Sequence, residues 1–216
     1  MNKELLLLTA FIAISCLQIS AQTTPYFQQI VDHNIHVQLN DVDHELDAEI
    51  WTQYVNNSPD ELDYLWYHVW PNAYSSAKSA LAKQQFREGD LFLFYAMARD
   101  LGGMDGLDFK INGEAAHWEF HNAHPDIVKI HLNTPLKPGE SLEINTPFQV
   151  RIPSGKISRL GHIGQSYQIT QWYPKPAVYD RDGWHEMPYV DQGEFYSEFG
   201  TFDVHIKLPS NYTIGA

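Results

Sequence analysis

A chain of 216 residues with 44% hydrophobic content can bury a sizeable core without cross-links, as one large domain or two small ones. Its formal net charge of -13 argues against nucleic acid and anionic membrane surfaces as partners, because both select for basic patches. The acids are dispersed along the chain, so no disordered acidic tail is implied.

The first residues read as a targeting segment. Met1–Glu4 is a short charged start, Leu5–Leu17 is almost wholly apolar, and Ile19-Ser20-Ala21 is a small-residue exit. That order describes a secretory signal peptide, cleaved after Ala21, and the apolar run is too short to span a bilayer. The expected protein is therefore exported, periplasmic or extracellular, with residues 22–216 as its mature part. The single cysteine, Cys16, lies inside this segment. A lipoprotein anchor on Cys16 is the rival reading, weakened because Ala13 stands where such sites usually carry leucine. The mature chain then has no cysteine and no disulfide, which suits a large-cored exported protein.

Beyond Tyr26 the apolar residues recur with a period of two. Ile35, Val37 and Leu39 alternate with His36, Gln38 and Asn40. After the Asn40-Asp41 turn, Leu46, Ala48, Ile50 and Thr52 alternate with Glu45, Asp47, Glu49 and Trp51. Asn56–Asp60 is a turn cluster, and Leu62–Trp70 reads as a buried strand stopped by Pro71-Asn72. Ala73–Glu88 is the one helical or irregular stretch, and Leu91–Ala98 a strand or helical turn. Met104–Asn112 and Ala115–Phe120 form a predicted hairpin about Asn112-Gly113. Strands follow at Ile127–Leu132, Ser141–Pro153 and Thr201–Leu208, with a loop over Ser154–Ser166. A last strand is expected to start at Tyr212, so that the chain ends as a truncated piece of something longer. The fold class is all-β: a mostly antiparallel sheet or sandwich with at most one short helix.

Ile169–Gly200 is the exception to this period. It carries Trp172, Tyr173, Tyr179, Trp184, Tyr189, Phe195, Tyr196 and Phe199, interleaved with Pro174, Pro176 and Pro188. A short strand ending near Trp172 should lead into ordered coil, shaped by rings and prolines. Polar tips in such coil, among them Gln171, Lys175, Asp180, His185 and Glu194, are where function concentrates, although a simple capping loop over a β core fits the same residues.

Chemical motifs are few. His117, His121 and His124 are spaced like metal ligands, but Asn122 and Pro125 place them in strand and loop rather than on one helix face. His33 and His36, three apart on an extended segment, face opposite sides. No H-E-x-x-H, no G-x-S-x-G and no phosphate-cradling glycine loop is present. Asp180, Asp182, Glu186, Asp191 and Glu194 supply carboxylates that pair for glycoside hydrolysis only under a geometry that spacing does not define.

Three stretches carry a likeness: N-N-S-P-D-E-L-D-Y-L-W-Y-H-V-W-P-N-A-Y (Asn56–Tyr74), S-R-L-G-H (Ser158–His162) and the run from Gln171 to Gly200. Together they resemble the N-terminal domain of zinc aminopeptidases of the aminopeptidase N and leukotriene hydrolase superfamily, nearest to its secreted bacterial branch. The likeness covers the mature chain. It implies a saddle-shaped, mostly antiparallel β domain packed on a catalytic domain that follows it and holds the zinc. This segment would itself bind no zinc and cleave no peptide. Its partners would be that catalytic domain and a peptide substrate.

The resemblance also implies a site. A T-Q-x-E-like element of the family's N-terminal domain helps hold the substrate's amino end. Thr170 and Gln171 match it, whereas Tyr173 stands where an acid or amide is usual. An uncharged phenol gives up the charge-assisted bond to an ammonium, so Glu194 is the candidate substitute. Gln171, Tyr173 and Glu194 are the expected substrate-binding residues, Gln171 having the alternative role of a strand-end amide that caps backbone groups. The alternative to the whole reading is a stand-alone exported β-sandwich that binds carbohydrate or peptide on exposed Trp172, Tyr179 and Trp184.

Overall fold

The computed structural model describes residues 26–193 and 195–215. The expected signal peptide, Cys16 and Glu194 lie outside those residues.

The elements, in chain order, are strands β1 (Ile30–Asn40), β2 (Glu45–Val55) and β3 (Leu62–His68), a 3₁₀ turn at Trp70–Tyr74 and helix α1 (Ala80–Glu88). A second 3₁₀ turn, Ala98–Asp100, leads to β4 (Gly103–Asp105), β5 (Lys110–Ile111), β6 (Glu114–Ala115) and β7 (Trp118–Phe120). The long strands β8 (Ile127–Leu136) and β9 (Ser141–Arg151) follow. Then come β10 (Gly161–Ile163), β11 (Ser166–Gln168), β12 (Lys175–Pro176), β13 (Tyr179–Asp180), β14 (Gly183–Trp184) and β15 (Phe202–Lys207).

These strands make two principal sheets. A seven-stranded sheet runs β15-β1-β2-β9-β5-β6, with β4 also on β9, and a four-stranded sheet runs β12-β3-β8-β7. Period-two patterning sets the register of the first. Ile35 faces Ile50, which faces Thr146, and the next rows are Val37–Ala48–Phe148 and Leu39–Leu46–Val150. A one-residue slip would turn each row to the opposite face, so burial of one face specifies the pairing. Leu65, Tyr67, Val128 and Ile130 from the second sheet join the same continuous apolar cluster. The result is a β-sandwich, all-β in class with one α-helix among the described residues.

Several expectations need correction. Only the second half of Ala73–Glu88 is helical: Ser79 caps it by accepting from Ala82 N, and Gly89 closes it at φ 88°. Trp70 opens a 3₁₀ turn rather than ending a strand, because Pro71 cannot extend the ladder. Leu91–Ala98 takes the helical-turn alternative, Tyr95 N donating to Leu91 O at 3.1 Å, and the expected strand over Met104–Asn112 breaks into β4 and β5 around Gly106 at φ 72°. The predicted loop at Ser154–Ser166 contains the start of the β10–β11 hairpin, and that hairpin ends at Gln168, short of Trp172. No strand starts at Tyr212 within the described residues.

Strand β15 alternates as expected but pairs parallel to β1, His33 lying beside Phe202 and Val37 beside Ile206. The junction is built at Gly200 and Thr201. A Cβ on Gly200 would stand 1.7 Å from Val31 O, so only glycine allows this approach. Thr201 N and Oγ1 both donate to Asp32 Oδ1 at 2.8 Å, and His33 N donates to Thr201 O at 2.8 Å. Beyond this clamp Phe202, Val204 and Ile206 continue the core-facing rows of β1, yet they are 52%, 38% and 44% exposed. Among the described residues, no helix is long and apolar enough to cross a membrane.

Candidate functional site

The coil after β11 returns to the second sheet through Gln171, a non-glycine residue at φ 53°. The reversal lays Trp172 against Phe148, with ring centroids 5.9 Å apart, and Tyr173 against His33 at 5.4 Å and Phe202 at 5.9 Å. It also delivers Lys175 to the edge of β3. Lys175 pairs with His68 and Pro176 with Tyr67, so the lysine and the histidine share one face. Pro176 fits here because β12 is an edge strand with no further partner to serve.

Lys175 is 6% exposed. Its Nζ donates to Gln171 Oε1 at 3.0 Å and to Ser197 Oγ at 2.5 Å, and lies 4.2 Å from the centre of the Trp70 ring. Among the described residues no carboxylate forms an ion pair with it. Desolvation therefore holds its ammonium down to about 8. Two buried imidazoles feel the same charge. His33, which shares a 3.0 Å hydrogen bond with Thr52 Oγ1, is pushed down to about 4 by burial and then by Lys175. His68 stacks on Trp70 with centroids 4.5 Å apart, and neither of its ring nitrogens has a partner at hydrogen-bond geometry. Burial first and Lys175 second push it down to about 3. Burial alone raises the Tyr173 phenol to about 12.

Trp70 is the hub. Tyr189 and Phe195 pack on it at 5.8 and 5.1 Å, and its Nε1 donates to Met187 O. Tyr74 packs on Tyr189 at 5.4 Å and accepts at its hydroxyl from Leu160 N. Ser158 Oγ donates to Asp191 Oδ1, and Arg159 donates to the Asp191 carbonyl and covers the Phe195 ring at 5.0 Å. Asp126, buried and 2.6 Å from the Tyr189 amide that donates to it, is raised by desolvation to about 6. The three stretches singled out in the sequence, Asn56–Tyr74, Ser158–His162 and Gln171–Gly200, thus meet in one layer.

Of the expected substrate-binding residues, the structure places Gln171 and Tyr173 beside this layer, with Gln171 Oε1 already engaged by Lys175. Glu194 lies outside the described residues. Trp172, Tyr179 and Trp184 are half-buried against the core rather than standing clear of it. His117 pairs with His131 at 4.8 Å and His121 stacks on His124 at 5.0 Å, as two separate ring pairs. No group of three or more His, Cys, Asp or Glu side chains among the described residues is placed to hold a metal ion. The described side chains do not fit a zinc site. Sequence reasoning did not assign roles to Lys175, His68 or Ser197. The signal for Lys175 was its position between Pro174 and Pro176 inside an aromatic run.

No protein-family profile and no curated protein sequence matches the chain. Among solved structures, it is similar to an M1 zinc metallopeptidase from Deinococcus radiodurans, at 13% identity and TM-score 0.45, over 84% of this chain and 33% of that one. A two-domain M1 zinc metallopeptidase bound to L-arginine gives 12% identity and TM-score 0.44, over 85% and 33%. Yeast LTA4 hydrolase in complex with bestatin gives 11% and 0.31, over 64% and 18%. The chain spans about a third of the length of the metallopeptidases it is similar to.

Proposed function

We propose that this chain is the non-catalytic β domain of an exported zinc-dependent aminopeptidase, laid against a catalytic domain that holds the zinc. Its Gln171–Tyr173 segment, with Glu194, would shape the pocket for the amino end of a peptide substrate. The observation that carries the reading is the meeting of the three family-like stretches around Trp70 and Lys175. Residues far apart in sequence and alike in family resemblance build one layer, and that layer holds charge and imidazole at a desolvation cost. Such costs concentrate at functional sites. The exposed row Phe202, Val204 and Ile206 supplies an apolar face for a neighbouring domain.

With Lys175 on its carbonyl oxygen, Gln171 has its amide NH₂ left to offer, which suits a peptide carbonyl better than an ammonium. The acid that meets the amine would then be Glu194. In the intact enzyme, Gln171→Ala should lower kcat/KM on several peptides while leaving bound zinc unchanged, and Glu194→Gln should do the same more strongly. Unchanged kcat/KM in both would overturn the pocket role. Metal analysis of residues 22–216 alone should find no stoichiometric zinc, and one tight zinc per chain would overturn the non-catalytic assignment.

A further inference from the structure

The coil that buries Lys175 shapes a second feature with residues from the start of the described chain. Tyr26–Gln28, Val178–Asp182 and Tyr196–Phe199 enclose a groove of about 350 Å³. Phe27 and Tyr179 form one wall, their rings 6.3 Å apart, and Tyr196 and Phe199 line the groove as well. Three acids line it, in different states. Asp180 is saturated: Oδ1 accepts from His185 Nε2 at 2.8 Å and from Asp182 N at 2.9 Å, and Oδ2 from the Tyr196 hydroxyl at 3.1 Å. Asp182 lies 3.6 Å from Arg181, both side chains largely exposed.

Glu198 is the exception. Its Oε1 has no solvent contact and no hydrogen-bond partner. No cationic side chain among the described residues forms an ion pair with it. Burial raises its carboxyl to about 7, against the pull of nearby amide groups of Tyr179, Gln28 and Gln29. A half-buried carboxylate without a counter-charge is a costly arrangement, and a cation entering the groove removes that cost.

We propose that this groove binds an organic cation, an ammonium or guanidinium on an aliphatic stem, with Glu198 as its counter-ion and the Phe27, Tyr196 and Phe199 rings around the stem. The lining selects this chemistry. Anions meet three carboxylates, and the one guanidinium of the lining, Arg181, is already beside Asp182. A bare metal ion lacks ligands, since no three metal-binding side chains converge among the described residues. A neutral ligand leaves Glu198 uncompensated. Aromatic faces attract cations, and their hydrophobic area suits an alkyl stem. The site does not depend on the peptidase reading, because it uses neither Gln171 nor a second domain.

The test is a titration of the intact protein with n-butylammonium chloride at low salt and about pH 8, where Glu198 is ionised, followed by ¹H–¹⁵N chemical shifts. Saturable shifts centred on Tyr179, Tyr196 and Glu198 are expected. n-Butanol, the uncharged counterpart, should bind at least about tenfold more weakly. Glu198→Gln should weaken n-butylammonium binding by a similar factor. Phe199→Ala, at a ring 82% exposed and so free of folding consequences, should weaken it a few-fold. Equal binding of the alcohol, or unchanged affinity in both variants, would overturn the proposal, as would the absence of saturable shifts. Should Glu198→Gln fail to fold, the alcohol comparison and Phe199→Ala decide it.

Discussion

The inner face of β1, β2 and β9 and the layer around Trp70 both bury large side chains and are differently made. The first is a repeating lattice: Ile35, Ile50, Val37, Phe148, Leu39 and Val150 sit in register rows, and each row is replaceable by residues of similar size. The second is irregular coil held by rings. It encloses an ammonium, an imidazole and a carboxyl, all with displaced proton affinities. Periodic packing secures the fold, whereas the coil spends part of that stability on keeping polar groups out of water.

The comparison breaks most visibly at Trp70. Trp70→Ala removes the hub ring and should cost about 3–5 kcal/mol in denaturant unfolding, whereas Ile50→Val in the lattice should cost only about 1 kcal/mol. Similar losses at the two positions would erase the distinction. Gly200→Ala comes next. Its methyl group would lie 1.7 Å from Val31 O, and backbone cannot yield as a side chain can. A loss of about 1–3 kcal/mol is expected, with hydrogen exchange opening first along β15.

A gain is expected at Lys175. Its folded-state affinity for protons is depressed, so the burden is present in full below about pH 8 and fades as pH rises toward the free-lysine value. Lys175→Met should raise Tm by a few degrees at neutral pH and by less in alkali. A lower Tm at neutral pH would make the ammonium structural, through Gln171, Ser197 and Trp70, and would remove the contrast.

The smallest effect is confined to acid. His33 and His68 are depressed to about 4 and 3, so their contribution is intact above the ordinary histidine range and is lost as pH falls through those values. Asp126 works in the opposite sense. Raised to about 6, it favours the fold below the ordinary aspartate value and loses that contribution as pH rises to about 6. Comparing His68→Phe with the parent protein at one pH cancels the Asp126 part. The variant should be the more stable near pH 4 and should match the parent near pH 8. Equal stability at both would mean that His68 finds a partner when charged.

Much of the fold was legible. The alternation of Ile35, Val37 and Leu39 with polar neighbours names a strand and its buried face, and Leu46–Thr52 names the partner face. The apolar spacing left the helix vague, and its bounds at Ser79 and Gly89 came only with the structure. The site was legible only as a region. Nothing in Q-W-Y-P-K-P states that Lys175 turns inward, because that depends on pairing with His68 across more than a hundred intervening positions of chain. The parallel direction of β15 was equally hidden, since alternation is the same in either direction.

What the amino-acid order determined alone was periodicity and punctuation: where backbone runs extended, which side of it is apolar, and where glycine, proline and asparagine interrupt it. These are local properties, set by sterics and transfer free energy within a few residues. What only the tertiary structure decided was which polar groups lose their water. Desolvation of Lys175, His68, Asp126 and Glu198 is a property of neighbours brought in from distant segments, and it is those neighbours that turn ordinary side chains into a candidate site.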